Sequence, residues 1–350
     1  MFSGSKALVA MSGGVDSSIA AYLAMQVGFE CTGATMLLCQ SDQDISDAMD
    51  VAHRLSIPFY TFDARSPFRS LVQEAFVKSY ECGDTPNPCI QCNRHLKFGY
   101  LLDRAKELGC SHIVTGHYAR VQKDPQTGRW LLLKAADLSK DQSYFLATLT
   151  QEQLSHVFFP LGELTKEQAR QLALEQNFVN ARKRDSQDIC FIPDGDYPAF
   201  LERFTGKVYP AGSFLDQQGN VVGQHRGAVR YTLGQRKGLG LAMGQPVYVC
   251  SKDMNANTVT VGPNEALYNR GLIASDWSWF SVETLTEPLR CMAKARSRMI
   301  EQPATAYPGD NGLVRVVFDE PQRALTPGQT VVLYDDDRVV GGGCIRSVIP

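Results

Sequence analysis

The sequence predicts an α/β fold, a doubly wound parallel sheet followed by two small mainly-β domains. Three observations predict it. Short apolar runs alternate with helical patterns over residues 1 to about 120. A glycine-rich turn joins the first run to the first helix, and after about residue 205 glycines and prolines punctuate short β-like runs.

Ala7-Leu8-Val9-Ala10 reads as a short buried strand, and a helical pattern follows with Ile19, Ala20, Leu23, Ala24 and Val27 apolar and Gly28 as a stop. Cys31 to Leu38 reads as a second strand, Asp44 to Leu55 as a helix and Pro58 to Phe62 as a strand. Helices follow at Phe68 to Tyr80 and His95 to Leu108, then a strand at His112 to Thr115 running into Gly116-His117-Tyr118. In such a sheet the ligand lies beyond the carboxyl ends of the strands, the edge that the first loop, Met36 and Gly116-His117 reach. Glu81 to Asn93 carries Gly83, Pro86 and Pro88 and reads as an ordered loop, not a helix, holding the C-x-x-C pair Cys89 and Cys92. Thr150 to Phe178 has a helical pattern, with a breaker at Phe159-Pro160-Leu161-Gly162 and a capping-box pattern at Thr165-Lys166-Glu167-Gln168. Asp185 to Pro193 then holds Cys190. The later β-like runs are Val229 to Thr232, Pro246 to Val249, Thr258 to Val261, Gly312 to Phe318 and Gln329 to Tyr334, with a break expected near 271.

At 350 residues, 44% hydrophobic and 21% charged, the chain is long enough for two or three domains with a well-buried core. No run of about 18 apolar residues occurs, and Met1 to Lys6 lead straight into a strand, so neither a membrane span nor a signal peptide is expected. Ten cysteines are too few for a disulfide scaffold and fit a reducing cytoplasm, where paired cysteines serve catalysis or metals. The net charge of −2 does not announce a nucleic-acid binder, though local basic surface suffices for one.

Ser12-Gly13-Gly14-Val15-Asp16-Ser17-Ser18 sits at the first strand–helix junction. Free backbone N–H groups and the positive helix end favour an anion there, and glycine lets backbone approach phosphate. The lysine of the commoner phosphate loop is absent. Asp16 has two readings, orienting the loop or holding magnesium. The stretch resembles the PP-loop of the ATP pyrophosphatases, which cleave ATP between its α and β phosphates to adenylate a substrate.

Cys89 and Cys92 alone read equally as ordinary loop cysteines or a reactive pair; no second C-x-x-C completes a four-ligand zinc site. Cys190 alone reads as a small buried hydrophobe, and Cys31, Cys39, Cys82, Cys110, Cys250, Cys291 and Cys344 as packing residues.

Taken in order, Ser12 to Ser18, Thr85-Pro86-Asn87-Pro88-Cys89-Ile90-Gln91-Cys92-Asn93, Thr115 to Tyr118, Lys140-Asp141-Gln142-Ser143-Tyr144-Phe145-Leu146 and Ser186-Gln187-Asp188-Ile189-Cys190-Phe191-Ile192 carry a specific resemblance. With Tyr231 to Gly240 and Thr326-Pro327-Gly328-Gln329, the chain resembles the bacterial tRNA-specific 2-thiouridylase family over nearly its whole length. The resemblance implies an adenine nucleotide α-hydrolase-like PP-loop domain at 1–205, a central β-rich domain at 206–271 and a tRNA-contacting β-barrel at 272–350. It implies ATP with magnesium as cofactor, the wobble uridine of the tRNAs for Lys, Glu and Gln as substrate, and a cysteine desulfurase or sulfur-relay protein as donor. Cys190 then carries sulfur as a persulfide and Cys92 is its partner. Ala10, Met11, Ser12, Gly13, Gly14, Val15, Asp16, Ser17, Met36 and Gly116 match ATP contacts. Asn87, Pro88 and Cys89 match contacts to the target base; His117, Lys140, Asp141, Gln142, Arg296, Ser297 and Gln329 match tRNA contacts.

Two positions depart from the family pattern. Cys89 stands where members commonly carry Asp, which removes a carboxylate and makes Cys89, Cys92 and Cys190 a three-thiolate set able to hold a 4Fe-4S cluster with one open iron. Ser297 replaces a Tyr after Arg296, losing a stacking contact. Arg290, Lys294, Arg296 and Arg298 form one basic patch, and Arg226, Arg230, Arg236 and Lys237 another. Two other readings compete: a different PP-loop adenylating enzyme such as a lysidine synthase, and a non-catalytic RNA- or metal-binding module.

Overall fold

The first apolar run becomes β1 (Lys6–Ala10), the centre of a parallel sheet. The computed structural model describes residues 4–39, 42–183 and 189–350. The strands β2 (Glu30–Leu37), β3 (Phe59–Asp63), β4 (His112–Val114), β5 (Arg120–Lys123), β6 (Trp130–Leu133) and β7 (Val157–Phe158) follow. Five of them form one sheet in the order β3-β2-β1-β4-β7, every pair parallel. The chain winds outward from β1 through β2 and β3, then returns to β4 on the other side. The order therefore reverses between β1 and β4, which opens a crevice at that carboxyl edge.

Helices cover both faces, so β1 is apolar without alternation. Ala7 and Val9 pack with Ile19, Ala20 and Val51 of α1 (Val15–Gln26) and α2 (Asp42–Arg54). Leu8 faces the other way, toward Phe98, Leu101 and Ile113. The capping box at Thr165 is present: its hydroxyl accepts from Gln168 N, and Gln168 Oε1 accepts from Thr165 N at 2.8 Å. Expectation and structure part at β7, which lies within the stretch expected to be helical; two short apolar residues beside a proline break carry no period.

After residue 205, β8 (Gly212–Leu215), β9 (Val221–His225), β10 (Tyr248–Asp253) and β11 (Thr258–Gly262) form a sheet in the order β10-β11-β8-β9. Val229 to Thr232, expected as β-like, contains a 3₁₀ turn at Ala228–Arg230. The last third holds β12 (Tyr268–Trp279), β13 (Leu289–Lys294), β14 (Gln302–Pro308), β15 (Val314–Arg323), β16 (Thr330–Asp335) and β17 (Arg338–Ile349). These run β12-β15-β14-β13-β16-β17, and β12 also pairs with β17, closing a six-stranded antiparallel barrel. Closure leaves the barrel no free edge among these strands.

The expected break near 271 falls inside β12. Gly271, which punctuates the sequence like a linker, is a close-approach glycine: a Cβ there would lie 2.6 Å from Val316 O. The hairpin β5–β6 also departs from the expected 1–205 unit. It leaves the parallel sheet and pairs with β17 through Leu133–Arg338 and Leu132–Val339. Phe280, Val332, Tyr334 and Val339 of the barrel accordingly share one apolar core with Leu8, Ile113 and Tyr144.

Candidate active site

Gly14 is the N-cap of α1, and Val15, Asp16 and Ser17 form its first turn. The loop closes on itself: Ser12 N donates to Ser17 Oγ (3.2 Å), while Ser17 Oγ and Ser18 Oγ both donate to Gly14 O (3.0 and 3.1 Å). Gly13 adopts φ +72°, and a Cβ there would lie 2.2 Å from Asp44 O. From the far side of the switch point Gly116 abuts the same turn, its Cβ position 2.6 Å from Asp16 C. Only glycine fits either place.

Sequence reasoning missed the side chains that hold this loop. Lys183 Nζ donates to Gly13 O (3.2 Å), Asp44 Oδ1 (2.6 Å) and Asp47 Oδ2 (2.7 Å). Burial pulls the Lys183 pKa down, but its bonds to Asp44 and Asp47 outweigh that and the net shift is upward. Asn180 Nδ2 donates to Gly13 O and Ser18 Oγ. Lys166 Nζ meets both Asp16 oxygens, at 2.7 and 2.8 Å, and Tyr118 OH donates to Asp16 Oδ1 at 2.9 Å. Neither lysine lies in a motif; Lys166 is visible only as the filler of a capping box.

The C-x-x-C segment is not a loop. Asn87 caps a helix, its Oδ1 accepting from Cys89 N at 3.2 Å, and Pro88 is the first helical residue. Proline is suited to that position because it supplies the helical φ and has no N–H to satisfy, so the proline that argued against a helix is what starts one. Pro88–Gln91 passes into a π-helical run, Cys92–Tyr100, and then Leu101–Glu107. Cys89 and Cys92 thus lie at a helix N-terminus.

The π run matters for Lys97, five residues after Cys92. On an α-helix a separation of five residues turns a side chain about 140° away, whereas the i→i+5 bonding of a π-helix stacks such residues on one face. Lys97 and Cys92 both line the cavity. Burial pushes the Cys92 thiol up to about 11, and the Lys97 ammonium pulls against it. Cys89 is raised by burial too, again opposed by Lys97. With Lys97→Met, thiolate formation moves to higher pH; a thiolation rate measured from pH 6 to 10 is expected to fall about tenfold at neutral pH and recover with alkali, and Lys97→Arg to restore it.

One cavity of about 960 Å³ takes in both regions. Ser12, Gly14, Asp16 and Ser17 line one part and Cys89, Cys92 and Cys190 another, with Lys97, Lys140, Lys166 and Lys183 on its walls. Four ammonium groups around one enclosure suit a polyanionic ligand. Cys39, expected to be a packing residue, is exposed on this wall, and its thiol donates to Cys190 O at 3.4 Å. A hydrogen bond between the two thiols lowers the Cys39 pKa and raises that of Cys190. Ser186, Gln187 and Asp188 of the Cys190 motif lie outside the described residues.

The fold gives the remaining expected contact residues the following places. Ala10 and Met11 lie beneath the loop, Met36 is buried in the core with Leu8, and Gly116 backs the loop; none of the four lines the cavity. His117, expected at tRNA, is buried among Phe98 and Phe159 with Nδ1 2.7 Å from Thr115 Oγ1, and burial holds its pKa well below the usual value. Asp141 accepts from Ala135 N, Ser143 N and Ser143 Oγ, and Gln142 exchanges bonds with the Tyr118 backbone. Phe145 O anchors Asn93 Nδ2, so this motif braces the cysteine helix. Of the stretch 140–142, Lys140 and Gln142 reach the cavity.

Gln329, expected at tRNA, donates from Nε2 to Thr85 O at 2.5 Å, while Thr85 N donates to Pro327 O at 3.0 Å. The barrel thereby clasps the approach to the cysteine helix. Arg296 is turned inward, donating to Ala324 O and Thr326 Oγ1, with the half-buried Ser297 after it. Arg290 pairs with Asp319, and Arg298 of that basic patch is exposed with no such pairing among the described residues. In the second patch Arg230 pairs with Glu202.

The donor sets bear on two metal expectations. Both oxygens of Asp16 are engaged by an ammonium group, which opposes a divalent cation at the same carboxylate; the loop-orienting reading holds. Among the described residues no three His, Cys, Asp or Glu side chains are grouped to hold a metal ion. Cys190 is bonded by the Cys39 thiol and is also a charge neighbour of Cys89 and Cys92 across the cavity. The 4Fe-4S reading does not fit this arrangement. Among the described residues no helix is long and apolar enough to cross a membrane.

The chain matches three family profiles in succession: tRNA methyl transferase HUP domain over residues 5–194, tRNA methyl transferase PRC-barrel domain over 198–263 and aminomethyltransferase beta-barrel domain over 269–345. It is 44% identical to a tRNA-specific 2-thiouridylase MnmA of Clostridioides difficile (strain 630), covering 99% of both chains. It is 47% identical to a protein of the same name from Symbiobacterium thermophilum, over 98% of this chain and 93% of that one. A third, from Moorella thermoacetica, is 47% identical over 97% of this chain and 99% of its own. A phosphate loop, a thiol-lined cavity and full-length likeness agree, and the chain belongs to the tRNA-specific 2-thiouridylase (MnmA) family.

Proposed function

We propose that the protein is a tRNA sulfurtransferase that replaces the C2 oxygen of the wobble uridine with sulfur at the expense of ATP. The observation that carries this reading is the single cavity holding the anion-binding loop at one end and Cys89, Cys92 and Cys190 at the other. A C2 carbonyl is a poor electrophile and its oxygen a poor leaving group. Attack of that oxygen on the α-phosphorus releases pyrophosphate and makes AMP the leaving group. Ser12, Ser17 and the α1 N-terminus hold the phosphates, and Lys140 offsets their charge. Magnesium brought with the nucleotide would offset phosphate charge there, while Asp16 bonds Lys166.

Cys190 carries the sulfur as a persulfide loaded by a cysteine desulfurase or relay protein. Its outer sulfur attacks C2 and AMP departs. A thiolate then attacks the Cys190 sulfur, giving a disulfide and expelling 2-thiouridine; Cys92, at the helix N-terminus beside Lys97, is suited to this step. Asn87, Pro88 and Cys89 form the turn presented to the base. The tRNAs for Lys, Glu and Gln are the substrates, encountered in the cytoplasm. Incubation with ATP, unmodified tRNA for Glu and a persulfide donor is expected to yield AMP, pyrophosphate and 2-thiouridine in equal amounts. AMP formation without thiouridine would favour a different adenylating enzyme, of the lysidine synthase kind.

A further inference from the structure

Cys39 sits two residues past the end of β2 (Glu30–Leu37), on the carboxyl edge that carries the phosphate loop. The proposed chemistry assigns it nothing. Yet its thiol lies against Cys190, donating to the Cys190 carbonyl at 3.4 Å. Both are exposed on the wall of the same cavity. Cys92 lines that cavity from another element, the π-helical run Cys92–Tyr100.

We propose that Cys39 is a second resolving thiol of this enzyme, forming a disulfide with Cys190 once sulfur has been passed to the base. The proposal rests on the persulfide reading of Cys190. The Cys39 thiolate attacks the Cys190 sulfur; the bond between that sulfur and the outer one breaks, and the outer sulfur leaves with the electron pair as the 2-thiouridine anion, which takes up a proton as the thione. The Cys39–Cys190 disulfide holds the two oxidising equivalents that came in with the persulfide. A low-molecular-weight thiol or a dithiol protein returns two electrons and two protons before Cys190 is loaded again.

The test is a disulfide map of the full-length protein. Persulfide-loaded enzyme is given ATP and one equivalent of unmodified tRNA, quenched with an alkylating agent and digested without reductant. A peptide linking Cys39 to Cys190, in the wild type and more abundantly in Cys92→Ser, is the expected result. Cys39→Ser is expected to lose that peptide and to slow single-turnover thiolation about tenfold. A wild-type map with Cys190 joined solely to Cys92, Cys39 being alkylated throughout, overturns the proposal and leaves the persulfide reading intact. Thiolation by Cys190→Ser overturns the persulfide reading, and this proposal with it.

Discussion

The Cys190→Ser protein is expected to release pyrophosphate from ATP in the presence of tRNA and to form no 2-thiouridine, a loss of at least about a thousandfold. The separation follows from the layout of the cavity. Adenylation uses the loop at Ser12–Ser18, whose bonds run to Asn180, Lys183, Lys166 and Tyr118, away from the thiol wall. Sulfur delivery uses Cys190, and the serine hydroxyl is isosteric but cannot carry a sulfane sulfur. The two products are counted in one reaction, pyrophosphate by a coupled assay and thiouridine by retardation of the tRNA on a mercury gel. Equal loss of both would mean that the two ends of the cavity do not work as separate halves.

Gly13→Ala is the second large effect, and it lies at the other end. Gly13 is held at φ +72°, where an L side chain costs about 1–2 kcal/mol. The added Cβ would also lie 2.2 Å from the backbone oxygen of Asp44, so α2 must move away. That movement breaks the bond of Lys183 to Asp44 and reorients the Gly13 carbonyl it shares with Asn180. ATP affinity, measured by calorimetry, is expected to fall by at least a hundredfold, roughly 2.8 kcal/mol. The melting temperature is expected to fall less, because Ala7, Val9 and Ile19 beneath the loop keep their packing.

The parallel sheet and its switch point were legible because each strand and helix declares itself by local period, and the glycine loop by its junction. The thiols were legible through motif order. What escaped are groups that act through space. Lys183 and Asn180 reach the loop from far along the chain, and the bonds of Lys166 to Asp16 span 150 positions. Cys39 was read as packing because nothing near it in sequence says that Cys190 lies opposite. For His117 and Gln329 the sequence marks the motif position but not the neighbour that the fold supplies. His117 faces Phe98 and Phe159, and Gln329 faces Thr85. The helix at Pro88 was hidden by a rule applied too broadly, since proline is barred from helix interiors but suited to their first turn.

The clasp between Thr85 and the barrel, with the pairing of Leu132 and Leu133 to β17, sets an order of events during synthesis. A ribosome that has released the whole parallel sheet has still not released Gln329, Arg338 or Val339. The nascent enzyme therefore carries its phosphate loop before the support of its cysteine helix exists, and the apolar core around Leu8 stays open where Tyr334 and Val339 will enter. A chain that stops before Gln329 lacks the bond from that side chain to Thr85 and the apolar partners Tyr334 and Val339 of the core around Leu8.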